Sequence, residues 1–226
     1  MNLVEHYDNL YKDAILKITS KNCETDPLID SSIDNRFGIT LLIRPDNQVK
    51  SRIQKFLNDL KVIEPEQYYY RNSDIHVTVM AIISCYNGFN LSQISLPDYV
   101  EMINKSITPL RKFEIELKGI TASPSSIMIQ GFLNDNSLNN FRNNLRENFR
   151  NSDLEQTIDK RYSIKTAHST VVRFRKELAK KEQFIKAMNN YRSFDFGTFT
   201  VNSLELVYNN WYHRKEDVKQ LYSFEI

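Results

Sequence analysis

The stretch IHVTVMAIIS, residues 75–84, predicts a buried β-strand because it is rich in apolar and β-branched residues. Side chains alternate between the two faces of a strand, so His76 and Thr78 share one face and the neighbouring apolar residues share the other. One face therefore presents an imidazole beside a hydroxyl. Taken alone, this pair is more typical of a core histidine whose ring nitrogens are satisfied than of a catalytic group.

A second histidine with the same local pattern lies in SIKTAHSTVVRF, residues 163–174, which also predicts a strand. His168 is followed two residues later by Thr170, so the unit His-x-Thr recurs 168 − 76 = 92 residues after the first. Threonine supplies 11 of the 226 residues, so two such units among four histidines arise by chance on the order of 1% of the time. The repeat favours a shared chemical role, whereas His6 and His213 are interpreted as solvated or structural.

The two units occupy matching places in the chain. Before the first, FGITLLI (37–43) predicts a strand, and apolar spacing between 49 and 60 predicts a helix. Before the second, SIMIQGF (126–132) predicts a strand, and an apolar stripe between 138 and 149 predicts a helix. The order strand, amphipathic helix, histidine strand occurs twice, which indicates a weak structural repeat. Further helices are predicted at 3–18, 98–108 and 176–191, and further strands at 113–120 and within 199–209.

Composition and charge exclude several classes of protein. The net charge of +2 at pH 7 is too small to indicate nucleic-acid binding by itself. Apolar residues make up 41% and charged residues 26%, as in ordinary globular chains. Cys23 and Cys85 have the spacing of neither a disulfide framework nor a zinc knuckle, and neither a signal peptide nor a membrane-spanning run is present. We expect a cytoplasmic protein that does not contact membranes.

Two histidines and two threonines on converging strands suit displacement at a phosphodiester. Near neutral pH one imidazole can accept a proton while the other, held near an anion, donates one. Each threonine hydroxyl, on the face of its histidine, can donate a hydrogen bond to a non-bridging phosphate oxygen. The predicted catalytic residues are therefore His76, Thr78, His168 and Thr170.

A metal site is the main chemical alternative. Asp74 shares a strand face with His76, and such an Asp-x-His pair suits a divalent ion. The second strand has no carboxylate near His168, and neither unit contains a further histidine. We therefore expect no metal and no cofactor, and interpret Asp74 as an orienter of His76 or as a strand-start residue.

The paired HVTV and HSTV resemble the His-x-Thr/Ser-hydrophobic motifs of the 2H phosphoesterase superfamily. This superfamily includes 2′-5′ RNA ligases, RNA 2′,3′-cyclic phosphodiesterases and 2′-5′ oligonucleotide phosphodiesterases. HSTVVR, residues 168–173, also resembles the second motif of the ligase-like branch. The resemblance covers roughly residues 37–208, although only the motifs and their spacing are specific.

The resemblance implies an α+β fold that is bilobal and pseudo-two-fold, with two antiparallel sheets and flanking helices around a central cleft. It also implies metal-independent catalysis by His76 and His168. The expected organisation is an N-terminal helix and loop, 1–36, followed by a single bilobal catalytic domain, 37–226. Its lobes are expected at roughly 37–110 and 111–208, with a C-terminal segment at 209–226.

Three residues are expected to bind substrate. By resemblance, Arg173 supplies positive charge near the phosphate, although strict alternation places it away from His168. Either the strand ends or bulges before residue 173, or Arg173 is an ordinary surface or salt-bridged residue. Tyr208 and Trp211 are predicted to stack a nucleobase at the mouth of the cleft, since aromatic faces accept any base.

The leading hypothesis is a monomeric phosphodiesterase that acts on RNA ends bearing a 2′,3′-cyclic phosphate or on 2′-5′-linked oligonucleotides. A second hypothesis keeps the site but gives it a small cyclic nucleotide or ADP-ribose 1″,2″-cyclic phosphate. A non-enzymatic alternative is an RNA-binding module whose histidines only hold phosphate. Two purely structural histidines are the last alternative, and their substitution would chiefly lower the melting temperature.

Overall fold

Five α-helices and nine β-strands are formed by residues 2–226, the part of the chain that the computed structural model describes. The helices are α1 (Leu3–Lys21), α2 (Asn47–Ile63), α3 (Leu96–Ile107), α4 (Ser137–Arg150) and α5 (Lys181–Asn189). The strands are β1 (Arg36–Ile43), β2 (Tyr68–Tyr69), β3 (Val77–Asn87), β4 (Phe113–Ser123), β5 (Ser126–Phe132), β6 (Ser169–Arg173), β7 (Asp195–Val201), β8 (Ser203–Asn210) and β9 (Lys219–Glu225).

The strands form two antiparallel sheets. The first has the order β3-β1-β8-β9, and the second has the order β2-β6-β5-β4-β7. Each motif histidine is preceded in the chain by a strand and a helix, and the strand that follows the histidine pairs with that earlier strand. β3, after His76, pairs with β1, and β6, after His168, pairs with β5. This correspondence confirms the α+β class and the pseudo-two-fold arrangement expected from the repeat.

The sheets do not divide at the expected lobe boundaries. β8 lies mostly inside the range expected for the second lobe, 111–208, yet it pairs with β1 of the first sheet. β9, in the segment expected to follow both lobes, continues that sheet by pairing with β8. The first sheet therefore takes strands from both ends of the chain, because pairing follows the burial of a shared apolar face and not chain order.

The helices cover the sheets with the apolar stripes that the sequence predicts. α1 packs against β4, and its Tyr7, Ala14 and Ile18 are buried at helical spacing. The Tyr7 hydroxyl donates to the Gly131 carbonyl at 3.2 Å, which ties the N-terminal helix to β5. Within residues 2–226, no helix has both the length and the apolarity that a membrane crossing requires.

Both histidines lie just before a strand, although the sequence predicts them inside strands. β3 begins at Val77 because the chain turns at Asp74, whose N–H donates to the Arg71 carbonyl at 2.9 Å. β6 begins at Ser169, six residues later than predicted, since the preceding segment crosses β5 closely without pairing to it. A Cβ atom on Gly131 would lie 1.9 Å from the Ala167 carbonyl oxygen, so only glycine permits this crossing.

Candidate active site

Both histidine motifs border a single cleft. Strands β3 and β6 belong to different sheets, and the histidine that precedes each strand faces the same space. The structure thus brings together side chains that are 92 residues apart in the sequence, and six of the seven predicted site residues line the cleft. These six are His76, Thr78, His168, Thr170, Arg173 and Trp211.

Alternation along the first motif is as predicted. Ile75, Val77 and Val79 are fully buried on the core side, while His76 and Thr78 face the cleft. The main chain of Thr78 is hydrogen-bonded, but its hydroxyl, like that of Thr170, has no partner within residues 2–226. Both hydroxyls are therefore available to donate to a bound ligand.

The hydrogen bond of His76 determines its tautomer. Its Nδ1 lies 2.7 Å from the main-chain carbonyl oxygen of Asp74, and a carbonyl oxygen can only accept. In the neutral ring the proton therefore resides on Nδ1, and the lone pair resides on Nε2. Asp74 thus orients His76 through its main chain, and Nε2 is available to accept a proton.

His168 is held by a residue outside the predicted site. Its Nδ1 lies 2.7 Å from the Oγ1 of Thr166, a largely buried hydroxyl two residues earlier in the chain. A hydroxyl can both donate and accept, so this contact accommodates the neutral ring and the protonated ring. His168 can therefore change its protonation state without losing its orienting partner.

Both motif histidines are neutral at physiological pH. Burial, opposed by the hydrogen bond to Asp74, lowers the pKa of His76 to about 4. Burial, followed by the nearby charge of Arg142, lowers the pKa of His168 to about 4. An anion bound between the rings would favour the charged form of one of them, which is the state that general acid catalysis requires.

These pKa values predict an acid-labile fold. Below the ordinary pKa of 6.5 the unfolded chain takes up protons at His76 and His168 that the folded chain does not take up until about pH 4. The free energy of unfolding is therefore expected to fall between pH 6.5 and pH 4, by up to about 1.4 kcal/mol per pH unit for each histidine. Urea denaturation across this range measures the slope.

The matched control for this slope is the double variant His76→Gln/His168→Gln, which retains every carboxylate of the chain. We expect the double variant to lose much less stability than the wild type between pH 6.5 and pH 4. Equal losses in the two proteins would show that neither histidine is buried in its neutral form.

A third histidine, for which no site role is predicted from the sequence, also lines the cleft. The rings of His213 and His76 have centroids 4.0 Å apart and an interplanar angle of 33°. His213 has the left-handed φ of 55°, and its Nε2 lies 3.0 Å from Nδ2 of Asn209. Of the two interpretations of His213, solvated or structural, these contacts agree with the structural one. No local motif marks this residue, because only the turn after β8 carries it onto His76.

Arg173 faces the cleft because β6 bulges. Ile127 of β5 pairs with Val172 and the next residue, Met128, pairs with Thr170, so Val171 is an extra residue in the strand. The bulge turns Arg173 to the side of Thr170, which resolves the conflict with strict alternation. The Arg173 Nε donates to the Tyr70 hydroxyl at 3.0 Å.

Trp211 stands among three guanidinium groups beside the cleft. The carbon at the centre of each guanidinium lies 4.6 Å (Arg161), 5.2 Å (Arg36) and 5.7 Å (Arg173) from the indole centroid. Arg36 forms an ion pair with Asp34 at 2.7 Å, whereas Arg161 and Arg173 have no carboxylate partner within residues 2–226. Two unneutralised positive charges therefore accompany the aromatic face.

The prediction that Tyr208 stacks on substrate is not supported. Its ring stacks on Phe37 with a centroid separation of 4.8 Å, and its hydroxyl donates to the Phe89 carbonyl at 3.2 Å. The next residue along β8, Asn209, lines the cleft instead. Because side chains alternate along a strand, Tyr208 is on the opposite face.

The cleft offers neither a metal ligand set nor a reactive thiol. Within residues 2–226 no three His, Cys, Asp or Glu side chains are grouped to hold a metal ion. The Asp74 Oδ1 accepts from the Ser73 hydroxyl at 2.7 Å and from the Lys215 N–H at 3.2 Å. Its Oδ2 is buried and has no hydrogen-bond partner within residues 2–226. Burial raises the pKa of Cys85, which lines the cleft, to about 12, so its thiol stays protonated.

The fold is similar to that of several solved structures. TT0787 of Thermus thermophilus is 12% identical, with a TM-score of 0.58 over 83% of this chain and 97% of that chain. LigT of E. coli, solved with 3'-AMP, is 10% identical, with a TM-score of 0.56 over 84% and 98%. ATU0111 of Agrobacterium tumefaciens is 12% identical, with a TM-score of 0.55 over 93% and 97%. At these identities the likeness shows a shared fold.

The sequence itself matches a family. No curated protein sequence matches the chain. The model of the family described as "AKAP7 2'5' RNA ligase-like domain" matches residues 38–222, which include both histidine motifs and every strand from β3 to β8. Two antiparallel sheets and paired His-x-Thr motifs on one cleft agree with this match. The chain therefore belongs to the AKAP7 2'5' RNA ligase-like domain family, within the 2H phosphoesterase superfamily.

Proposed function

We propose that the chain is a metal-independent phosphodiesterase that hydrolyses 2′,3′-cyclic phosphate or 2′-5′ phosphodiester linkages of RNA or oligonucleotides. The observation that carries this proposal is the meeting of two neutral imidazoles and two unengaged hydroxyls in one cleft. The family supports an enzyme of phosphoesterase or RNA ligase type. The free, buried cysteines Cys23 and Cys85 suit the reducing cytoplasm that we propose as its location.

The proposed reaction is an in-line displacement by water. One imidazole takes a proton from the attacking water, a bond forms from the water oxygen to phosphorus, and the bond from phosphorus to one ribose oxygen breaks. The other imidazole, protonated when the anionic substrate binds, gives its proton to that leaving oxygen. The Thr78 and Thr170 hydroxyls donate to the non-bridging oxygens, whose negative charge grows in the transition state. Every atom and proton is accounted for without a metal.

The surroundings of Trp211 support a nucleotide as the substrate. An indole face accepts any nucleobase, and the guanidiniums of Arg161 and Arg173 attract phosphate. Arg173, on the same side of the bulged strand as Thr170, is the residue we assign to the scissile phosphate. E. coli LigT, which has a similar fold, was solved with 3'-AMP, and this agrees with a nucleotide as the ligand.

The proposal predicts turnover that does not depend on metal. Purified protein is incubated with a 2′,3′-cyclic mononucleotide and with a 2′-5′-linked dinucleotide, each in the presence and absence of EDTA. We expect hydrolysis of at least one substrate at a rate that EDTA leaves unchanged, because both catalytic groups are imidazoles. Product is measured by chromatography.

A 3′-5′-linked dinucleotide is the control for specificity, and ADP-ribose 1″,2″-cyclic phosphate tests the competing small substrate. Loss of activity with EDTA would contradict the two-histidine mechanism. Salt-dependent RNA binding without turnover of any of these substrates would instead identify a binding module.

A further inference from the structure

A buried arginine on α4 contacts the main chains of both histidine motifs. Arg142 is 1% exposed. Its Nη2 donates to the Thr78 carbonyl at 2.8 Å and to the Thr166 carbonyl at 3.0 Å, and its Nε donates to the Val79 carbonyl at 2.9 Å. Thr78 belongs to the first motif, and Thr166 holds the His168 ring. One guanidinium therefore joins the two halves of the site.

Packing alone does not account for an arginine at this position. The neighbouring positions of α4 are apolar and buried, so a methionine or leucine would continue the stripe without placing a charge in the core. The residues of this stripe are Leu138, Phe141, Leu145 and Phe149. Arg142 has no carboxylate partner within residues 2–226, and a buried charge without a counterion is costly unless hydrogen bonds replace its lost hydration.

The three carbonyl bonds keep the cation in place. Burial lowers the pKa of Arg142 to about 10, so the side chain still carries its charge at neutral pH. The three acceptors lie on two separate segments of chain, so they need a side chain whose N–H groups point in several fixed directions. The planar guanidinium has this forked arrangement of donors. A lysine ammonium is a single point on a flexible stem and cannot reproduce that fork.

Among the strands that the structure describes, no pairing joins the two motifs across the cleft. β3 pairs with β1, and β6 pairs with β2 and β5. The distance between His76 and His168 therefore depends on contacts between the sheets and not on a shared hydrogen-bond ladder. Arg142 supplies such a contact, since it donates to main-chain carbonyls next to both motifs.

We infer that Arg142 is a positioning residue, whose guanidinium sets the spacing and orientation of the two histidine motifs. On the first motif it fixes the main chain of Thr78, whose hydroxyl faces the cleft. On the second it fixes Thr166, whose hydroxyl lies 2.7 Å from His168 Nδ1. Its charge also lowers the pKa of His168. The inference rests on the proposed function for its kinetic test, and on the hydrogen bonds of Arg142 and its charge near His168 for its spectroscopic test.

The kinetic test compares Arg142→Met and Arg142→Lys with Arg150→Met, an exposed position on the same helix. With a 2′,3′-cyclic nucleotide as substrate, we expect Arg142→Met to lower kcat about 100-fold while KM changes little, because misplacement by about 1 Å has an effect of this size. Arg142→Lys, which keeps the charge and loses the fork, is expected to recover only part of the loss. Arg150→Met is expected to behave as the wild type.

The spectroscopic test follows the pKa of the His168 ring by NMR in each variant whose fold is confirmed by circular dichroism. We expect Arg142→Met to raise the pKa of His168 and Arg142→Lys to leave it closer to that of the wild type. Wild-type kcat in either folded Arg142 variant would overturn the inference. If the wild type itself has no activity, the proposed function fails, and an unchanged His168 pKa in Arg142→Met would overturn the positioning role separately.

Discussion

Replacement of His76 or His168 by alanine is expected to reduce kcat/KM for a 2′,3′-cyclic nucleotide by about 10²–10⁴-fold, the range typical of a general acid or base. The two rings flank one cleft, and each is held at Nδ1 by a fixed partner, so each presents Nε2 as its free nitrogen. Steady-state kinetics at pH 7 measures the effect.

The double variant His76→Ala/His168→Ala tests the assignment more sharply than either single variant. The two histidines act on one transition state. The loss of kcat/KM in the double variant is therefore expected to be much smaller than the product of the losses in the two single variants. His6→Ala is the matched control, since His6 lies in α1 and does not line the cleft. Retention of activity in either single variant, with only a lower melting temperature, would contradict the acid–base assignment and favour structural histidines.

Replacement of Thr78 or Thr170 by valine has the second-largest expected effect, a fall in kcat of about 10²-fold or more, as for the loss of one donor to a developing oxyanion. Valine has the shape of threonine without the hydroxyl. Neither hydroxyl has a hydrogen-bond partner within residues 2–226, so the substitution breaks no contact within the protein. We therefore expect the melting temperature to remain unchanged.

Serine variants are the controls for the threonine prediction. Thr78→Ser and Thr170→Ser keep the donor and are expected to retain most of the activity. If valine variants turned over substrate as fast as the wild type, the hydroxyls would have no part in stabilising the transition state. A fall in melting temperature that accounts for the lost activity would also contradict the assignment.

Elements with strong local patterns could be predicted from the sequence. The helices α2 and α4 and the strands β1, β4 and β5 lie where apolar spacing predicts them, because burial of one face imposes that spacing on the chain. β2 is two residues long, and it forms only because β6 lies beside it. A strand of this length has no periodicity, so it cannot be predicted from the sequence.

The substrate-binding residues show where local patterns stop being informative. The sequence allows two orientations of Arg173, and the bulge at Val171 decides between them. Tyr208 is predicted in the site because it is aromatic and near Trp211 in sequence, whereas the pairing of β8 with β1 turns the Tyr208 ring onto Phe37. A bulge and a strand register depend on the partner strand, which the residue's own neighbours do not specify.

By itself, the sequence determined the two His-x-Thr units, the side that each histidine shares with its threonine and the superfamily they resemble, because two-residue alternation and motif spacing are properties of the local chain. Only the tertiary structure decided that Thr166, His213 and Arg142 contact the two motifs. Each of these residues reaches a motif through a hydrogen bond or ring contact, and Arg142 does so from a separate helix. Such contacts arise when separate elements pack together, and packing brings distant residues into contact without leaving a pattern in the sequence around them.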